Sequence, residues 1–480
     1  MPGRPSLAGR SHRVSRPAVR MGGGGSALRV CADHRGGINW LSLSPDGQRL
    51  LTGSEDGTAR LWSTADGQCC ALLQGHESYV TFCQLEDEAA FTCSADHTIR
   101  KWDVRTGQCL QVFRGHTSIV NRILVANNQL FSSSYDRTAR AWSVDEGQVS
   151  QEFRGHRNCV LTLAYSAPWD LPGAPCAEEV GGLLVTGSTD GTAKVWQVTS
   201  GCCHQTLRGH TGAVLCLVLD TPSHTAFTGS TDTTIRAWDI LSGEQLRVFR
   251  EHQGSVICLE LVNRHVYSGS ADRTVKCWLA DTGERVRTFA AHRHSVSALK
   301  YHAGTLFTGS GDARARAFDA RSGALQRVFR GHAFVINCIQ VHEQVLYTAS
   351  HDGALRLWDV RGLPCAPPPP RPAAPARSRS RLFSNKGLPP HSPQSLRSPE
   401  AKPVLKGNGI SSKSRPAAVV ISLANCLEDT SEEPKYTSFQ VLWNMSFVLH
   451  TLSFLSEGGG VPGTGGLTHP AWACPSPGGW

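Results

Sequence analysis

Along most of the chain, apolar and polar residues alternate in short runs that Gly, Asp, Ser and Thr interrupt. A period of two broken by turn formers predicts strands and tight turns rather than helices. The stretch "TGSTDTTIRAWDI" (228–240) shows the unit: an apolar run, an Asp-centred turn, then a second run closing on Trp238. Slid along the chain, it finds "LTGSEDGTARLWS", "FTCSADHTIRKWD", "FSSSYDRTARAWS", "VTGSTDGTAKVWQ", "YSGSADRTVKCWL", "FTGSGDARARAFD" and "YTASHDGALRLWD". The eight units close on Trp62, Trp102, Trp142, Trp196, Trp238, Trp278, Phe318 and Trp358, and a histidine precedes each: His34, His76, His116, His156, His210, His252, His292 and His332. A period of about forty residues is the mark of a repeat architecture. The longer step before Trp196 holds an insertion, 166–182, that carries Trp169.

Short strand runs ending in Trp-Asp at this period resemble the WD40 family over residues 26–361. The resemblance implies an all-β, eight-bladed propeller around a central channel, closed by the N-terminal strand "ALRVC" (27–31) pairing with the last unit. A seven-bladed ring is the alternative, with the Phe318 unit as the decayed one.

Ser or Thr, His and Asp are also the parts of a hydrolase, but a hydrolase needs them once, in one cleft. Eight copies around a ring favour structural work. The resemblance implies a chain from Trp indole to hydroxyl to His to Asp, as in His76, Thr92, Asp96 and Trp102, or His210, Thr228, Asp232 and Trp238. No catalytic residue, cofactor or metal site is expected. Phe318 cannot donate, so its blade is expected to be the first to open on heating.

The fourth residue after each histidine is Ile or Val, which alternation turns into the blade core. The third and fifth therefore face away, and in WD40 propellers these, with the residue before the turn Asp, line the upper mouth of the channel. The expected partner-binding set is Tyr79, Ile119, Tyr135, Leu161, Leu215, Thr231, Ile257 and His351. Leu161, Leu215 and Ile257 are equally consistent with simple packing. None of the twenty-four residues at these positions is Arg or Lys. That argues against the phosphodegron capture of the F-box WD propellers that the repeats otherwise resemble. "WDVR" occurs twice, at Trp102, Asp103 and Arg105 and at Trp358, Asp359 and Arg361. It resembles the motif by which WD40 substrate receptors dock on a cullin-4 ligase adaptor.

Charge leaves this picture unchanged. The net +9 resides in the ends, with +5 in 1–20, +10 in 361–420 and −4 in 421–480, so 21–360 sits at −2. A near-neutral body offers no basic face to nucleic acid. The seventeen cysteines show no zinc spacing. They read as reduced thiols of a cytoplasmic, or also nuclear, protein, with Cys69–Cys70 and Cys202–Cys203 as small hydrophobes in strands. A Gly/Arg-rich leader (1–25) and a Pro/Ser/Arg-rich linker (362–435) are expected to be disordered. The linker holds an SH3-type segment at 372–377 and Ser392 and Ser398 before prolines. Segment 436–455 has the length of a membrane span but too many polar residues, so no membrane partner is expected. Gly22 fits a myristoylation pattern only if Met21 is the start. The expected function is a non-enzymatic scaffold for protein or peptide partners, or a cullin-4 substrate receptor.

Overall fold

The computed structural model describes residues 27–167, 182–290 and 292–363. Trp169, Gly22, 372–377, Ser392, Ser398 and 436–455 lie outside the described residues.

The repeat unit folds as its pattern requires. In the unit quoted first, Thr225–Ser230 pairs antiparallel with Ile235–Asp239, and Trp238 stands opposite Ala226. The turn is held by Asp232, whose Oδ1 accepts the backbone N–H of Thr234 at 2.9 Å, while Ser230 Oγ accepts the N–H of Asp232 at 3.1 Å. Such side-chain bonds to local backbone are why Asp and Ser suit this position.

Eight four-stranded antiparallel sheets result. Blades 1 to 7 run in chain order over 38–74, 80–113, 120–154, 160–208, 214–249, 256–290 and 296–330. Blade 8 joins both ends of the described chain. Strand β1 (Ala27–Cys31) pairs with β32 (Leu355–Asp359), which continues through β31 (Val345–Ser350) to β30 (Ile336–His342). The register sets Val30 opposite Arg356 and Cys31 opposite Leu355. The first strand of each blade packs on the first strand of the next, and β30 packs on β2 (Ile38–Leu43), so the ring closes.

The core lies between blades. Trp238 of blade 5 packs against Leu183, Val185 and Val195 of blade 4, and Trp278 of blade 6 against Phe227 and Phe249 of blade 5. The eight closing aromatics are each at most 2% exposed, and truncating one such side chain to Ala costs about 3–5 kcal/mol. The Phe318 unit is a full blade. Its four strands are paired, Phe318 is 2% exposed, and its ring meets Phe289 edge-on at 5.5 Å. Eight blades replace the seven-bladed alternative.

The paired cysteines need correcting. Cys70, Cys202 and Cys203 are exposed and Cys69 is half-buried, because they fall on or beside the outermost strand of a blade, where one face has no neighbour.

Candidate functional site

In seven blades the Trp indole donates to the Ser or Thr hydroxyl at 2.8–2.9 Å. In blade 5, Trp238 Nε1–H donates to Thr228 Oγ1 at 2.8 Å. The same hydroxyl lies 2.8 Å from His210 Nε2, and His210 Nδ1 lies 2.7 Å from Asp232. The indole only donates and the carboxylate only accepts, so the ring turns an Nδ1–H to Asp232 and leaves Nε2 to accept. Thr228 receives from Trp238 and donates to Nε2, and His210 donates from Nδ1 to the carboxylate. In blade 2, Trp102, Thr92, His76 and Asp96 repeat this at 2.8, 2.7 and 2.7 Å. Burial opposes ionisation of Asp232, but hydrogen bonds from His210 and Thr234 outweigh it and hold the carboxyl well below the usual range. Every hydroxyl in these chains is already shared between two rings, which stiffens the blade.

Blade 7 runs differently. Phe318 gives Thr308 no N–H, and Arg314 stands where six other blades place a Thr that donates to the Asp. Arg316, 4% exposed, fills the gap. It pairs with Asp312 at 2.8 Å and its Nη1 meets His292 Nδ1, which recedes from Asp312 to 3.3 Å. His292 Nε2 stays 2.6 Å from Thr308, which no indole reaches. Burial pulls the His292 pKa down. A guanidinium stands in this blade where six others have an indole and a threonine hydroxyl.

At the channel, each inner strand carries a bulge between the fourth and sixth residues after the histidine, as between Val120 and Arg122. The fifth residue is left over, and in five blades it crosses to the next blade. Asn39 donates to Val80 O at 2.8 Å, Thr81 to Val120 O at 2.6 Å, Asn121 to Leu161 O, Ser297 to Ile336 O, and Asn337 to Ile38 O at 2.9 Å. This belt is interrupted at blades 4, 5 and 6, where the fifth residues are Leu161, Leu215 and Ile257, all partly open. At two of those junctions the next residue supplies a weaker donor: Cys216 Sγ reaches Val256 O at 3.7 Å and Cys258 Sγ reaches Val296 O at 3.9 Å. Three adjacent aliphatic side chains thus replace the polar belt on one side of the channel.

The other rim residues separate. Ile119, Tyr135, Thr231 and His351 are partly exposed. Tyr79 is 7% exposed, so it belongs to the wall and not the surface; burial, with Tyr135 and Glu55 nearby, pushes its phenol pKa up. His351 forms an ion pair with Glu55 at 3.0 Å, and this partner raises its pKa despite partial burial. Any Cβ on Gly37 would stand 3.0 Å from Glu55 and closer still to His351, so only glycine leaves room for the pair. Beside it Phe334 is 59% exposed, its ring edge-on to His351 at 6.1 Å.

A model for "WD domain, G-beta repeat" matches residues 25–63, 67–103, 107–143, 147–197, 201–239, 243–278 and 323–359, more than half of the chain. The chain belongs to the WD40 family. WD40 propellers generally serve as protein-interaction scaffolds and are generally non-enzymatic. The WD40 matches pass over the repeat unit that closes on Phe318, although its blade has the same four strands. Human WD repeat-containing protein 86 is 97% identical over 209 residues, 43% of this chain and 56% of its own length. The chain thus spans a little over half of that relative. Human WD repeat-containing protein 38 is 46% identical over 48 residues, 10% of this chain and 15% of its own. Among solved structures, the computationally designed Ika8 protein matches at TM-score 0.62 and 28% identity, covering 70% of this chain and all of its own.

The two WDVR motifs of this WD40 chain are not equivalent. Arg361 folds back on Asp359, with Nε at 2.9 Å and Nη2 at 2.6 Å. Asp103 instead accepts the backbone N–H groups of Arg105 and Thr106, and Arg105 is exposed with no ion pair among the described residues. Sequence reasoning missed Phe334 and the sixth residue after the histidine. The bulge leaves the fifth and sixth residues of blades 1 to 3 both partly open, so strict alternation skips one. On blades 1 to 3 that sixth residue is Trp40, Phe82 and Arg122.

Proposed function

We propose that this propeller is a non-enzymatic scaffold that holds an extended segment of a protein partner against the upper mouth of its channel. One observation carries the reading: the inter-blade belt gives way at three consecutive blades to Leu161, Leu215 and Ile257. Partly open aliphatic side chains beside a polar rim are what a peptide anchor needs. Thr231, Tyr135, Ile119, His351 and Phe334 complete the contact face. Thirteen free cysteines among the described residues support a reducing compartment, cytoplasmic or nuclear. Affinity capture from cells with the full chain tests this against a Leu215→Glu/Ile257→Glu variant. Partners that bind through the mouth are lost, and an unchanged set sinks the reading.

A second reading, the cullin-4 substrate receptor, rests on the unpaired Arg105. Co-purification with the adaptor would then be lost on Arg105→Ala and retained on Arg361→Ala. No association, or equal dependence on both, counts against it.

A further inference from the structure

The channel holds a charge that nothing among the described residues balances. Arg122, on the first strand of blade 3, stacks over Trp40 of blade 1 at 4.8 Å and Phe82 of blade 2 at 5.3 Å, and those two rings stack on each other at 4.6 Å. Its guanidinium has no ion pair and no hydrogen bond among the described residues. The titratable groups around it are the thiols of Cys338 in blade 8, Cys216 in blade 5 and Cys93 in blade 2. Stacking on rings of blades 1 and 2 draws the head of this blade 3 side chain along the channel wall. Burial holds these thiols neutral, pushed up to about 11 for Cys338 and about 12 for Cys216 and Cys93. The nearby channel ammonium, Lys300, is spent on Glu260 at 3.1 Å.

A partly buried cation without a counter-ion loses part of its hydration, and stacking on aromatic faces recovers only some of that loss. It leaves the in-plane N–H groups of the guanidinium unused. We propose that the channel takes the side-chain carboxylate of an Asp or Glu from the bound partner segment, with Arg122 as its counter-ion and Leu161, Leu215 and Ile257 as the apolar wall beside it. This rests on the mouth being the binding face. The charge count selects a carboxylate. One unpaired guanidinium matches one negative charge, whereas a phosphate dianion would need a second cation. Arg122 therefore supplies the positive charge that the rim positions lack.

The test uses fluorescein-labelled heptapeptide pools, degenerate over Ala, Leu, Ser and Tyr except at a central Glu or Gln, titrated against the folded full chain by fluorescence anisotropy. The Glu pool binds the native protein at least about tenfold more tightly than the Gln pool. In Arg122→Met and Arg122→Gln the preference disappears while tryptophan fluorescence and thermal unfolding report an intact ring. Leu215→Glu weakens both pools. Equal binding of the two pools that Leu215→Glu still abolishes overturns the role of Arg122 and leaves the mouth reading standing. So does a Glu preference that survives in both Arg122 variants. Failure of both pools to bind, or binding indifferent to Leu215→Glu, overturns both.

Discussion

Replacing Thr228 with Val keeps the shape of the side chain and deletes the hydroxyl at the centre of the blade 5 chain. Trp238 Nε1–H and the lone pair of His210 Nε2, both bonded at 2.8 Å, are then buried without partners. Each orphan costs about 1–3 kcal/mol, so the substitution should destabilise blade 5 by about 2–6 kcal/mol. The same change in blade 7, Thr308→Val, orphans only His292 Nε2, since Phe318 offers nothing to lose. The loss there should be smaller by one group, about 1–3 kcal/mol. A closed eight-bladed ring need not unfold in one step, so a global midpoint is the wrong observable. Hydrogen exchange read by mass spectrometry on segments 225–239 and 305–319 gives the opening free energy of each blade separately. Equal losses in the two blades would show that the indole bond contributes nothing, and a larger loss in blade 7 would refute the count of orphaned groups. In the unmutated protein blade 7 should still open first, because Arg316 restores an ion pair but not the indole bond.

Acid should loosen every blade, because the turn carboxyls titrate well below their ordinary range. Asp352, pulled down to about 2 by His332 against the opposing effect of burial, stabilises the fold above the unfolded value near 3.9 and loses that contribution as pH falls through about 2, a span of about 2–3 kcal/mol. Asp352→Asn should remove one proton from the slope of stability against pH between about 4 and 2, and an unchanged slope would count against it. His351 behaves oppositely. Its pKa is raised by Glu55, so the pair stabilises at pH below the ordinary histidine value and is lost as pH rises through the raised one. Glu55→Gln should lower that pKa in an NMR titration. At the closing junction, Asn337→Ala removes the bond to Ile38 O and should lower protection of β2 by about 1 kcal/mol. Leu215→Asn should do the reverse at blade 5, extending the belt while weakening partner capture.

The repeat made the fold legible. Tight Asp turns, buried Trp and alternating strands are local and recur eight times, so even Phe318 stood out as a departure. The channel was not legible in the same way, because its character is set at the bulge. Counting positions on strict alternation placed every fifth residue at the mouth alike, whereas Asn39, Asn121 and Asn337 are occupied in joining blades. It also passed over Arg122, one residue further on, a channel cation left without an ion pair among the described residues. Tyr79 illustrates the same limit: it stands at a rim position yet is 7% exposed. The belt contacts join residues 40 or 41 apart, and 299 apart at the closing junction, and no local pattern carries them.

The claim that matters most is that partners are read at the channel mouth. A photo-crosslinking amino acid placed singly at position 215, at 257 and, as a control, at the exposed outer-strand position 110 tests it in cells with the full chain. Crosslinks to one partner from 215 and 257, absent from 110, are the expected result. Crosslinks from 110 with none from the mouth positions would contradict it.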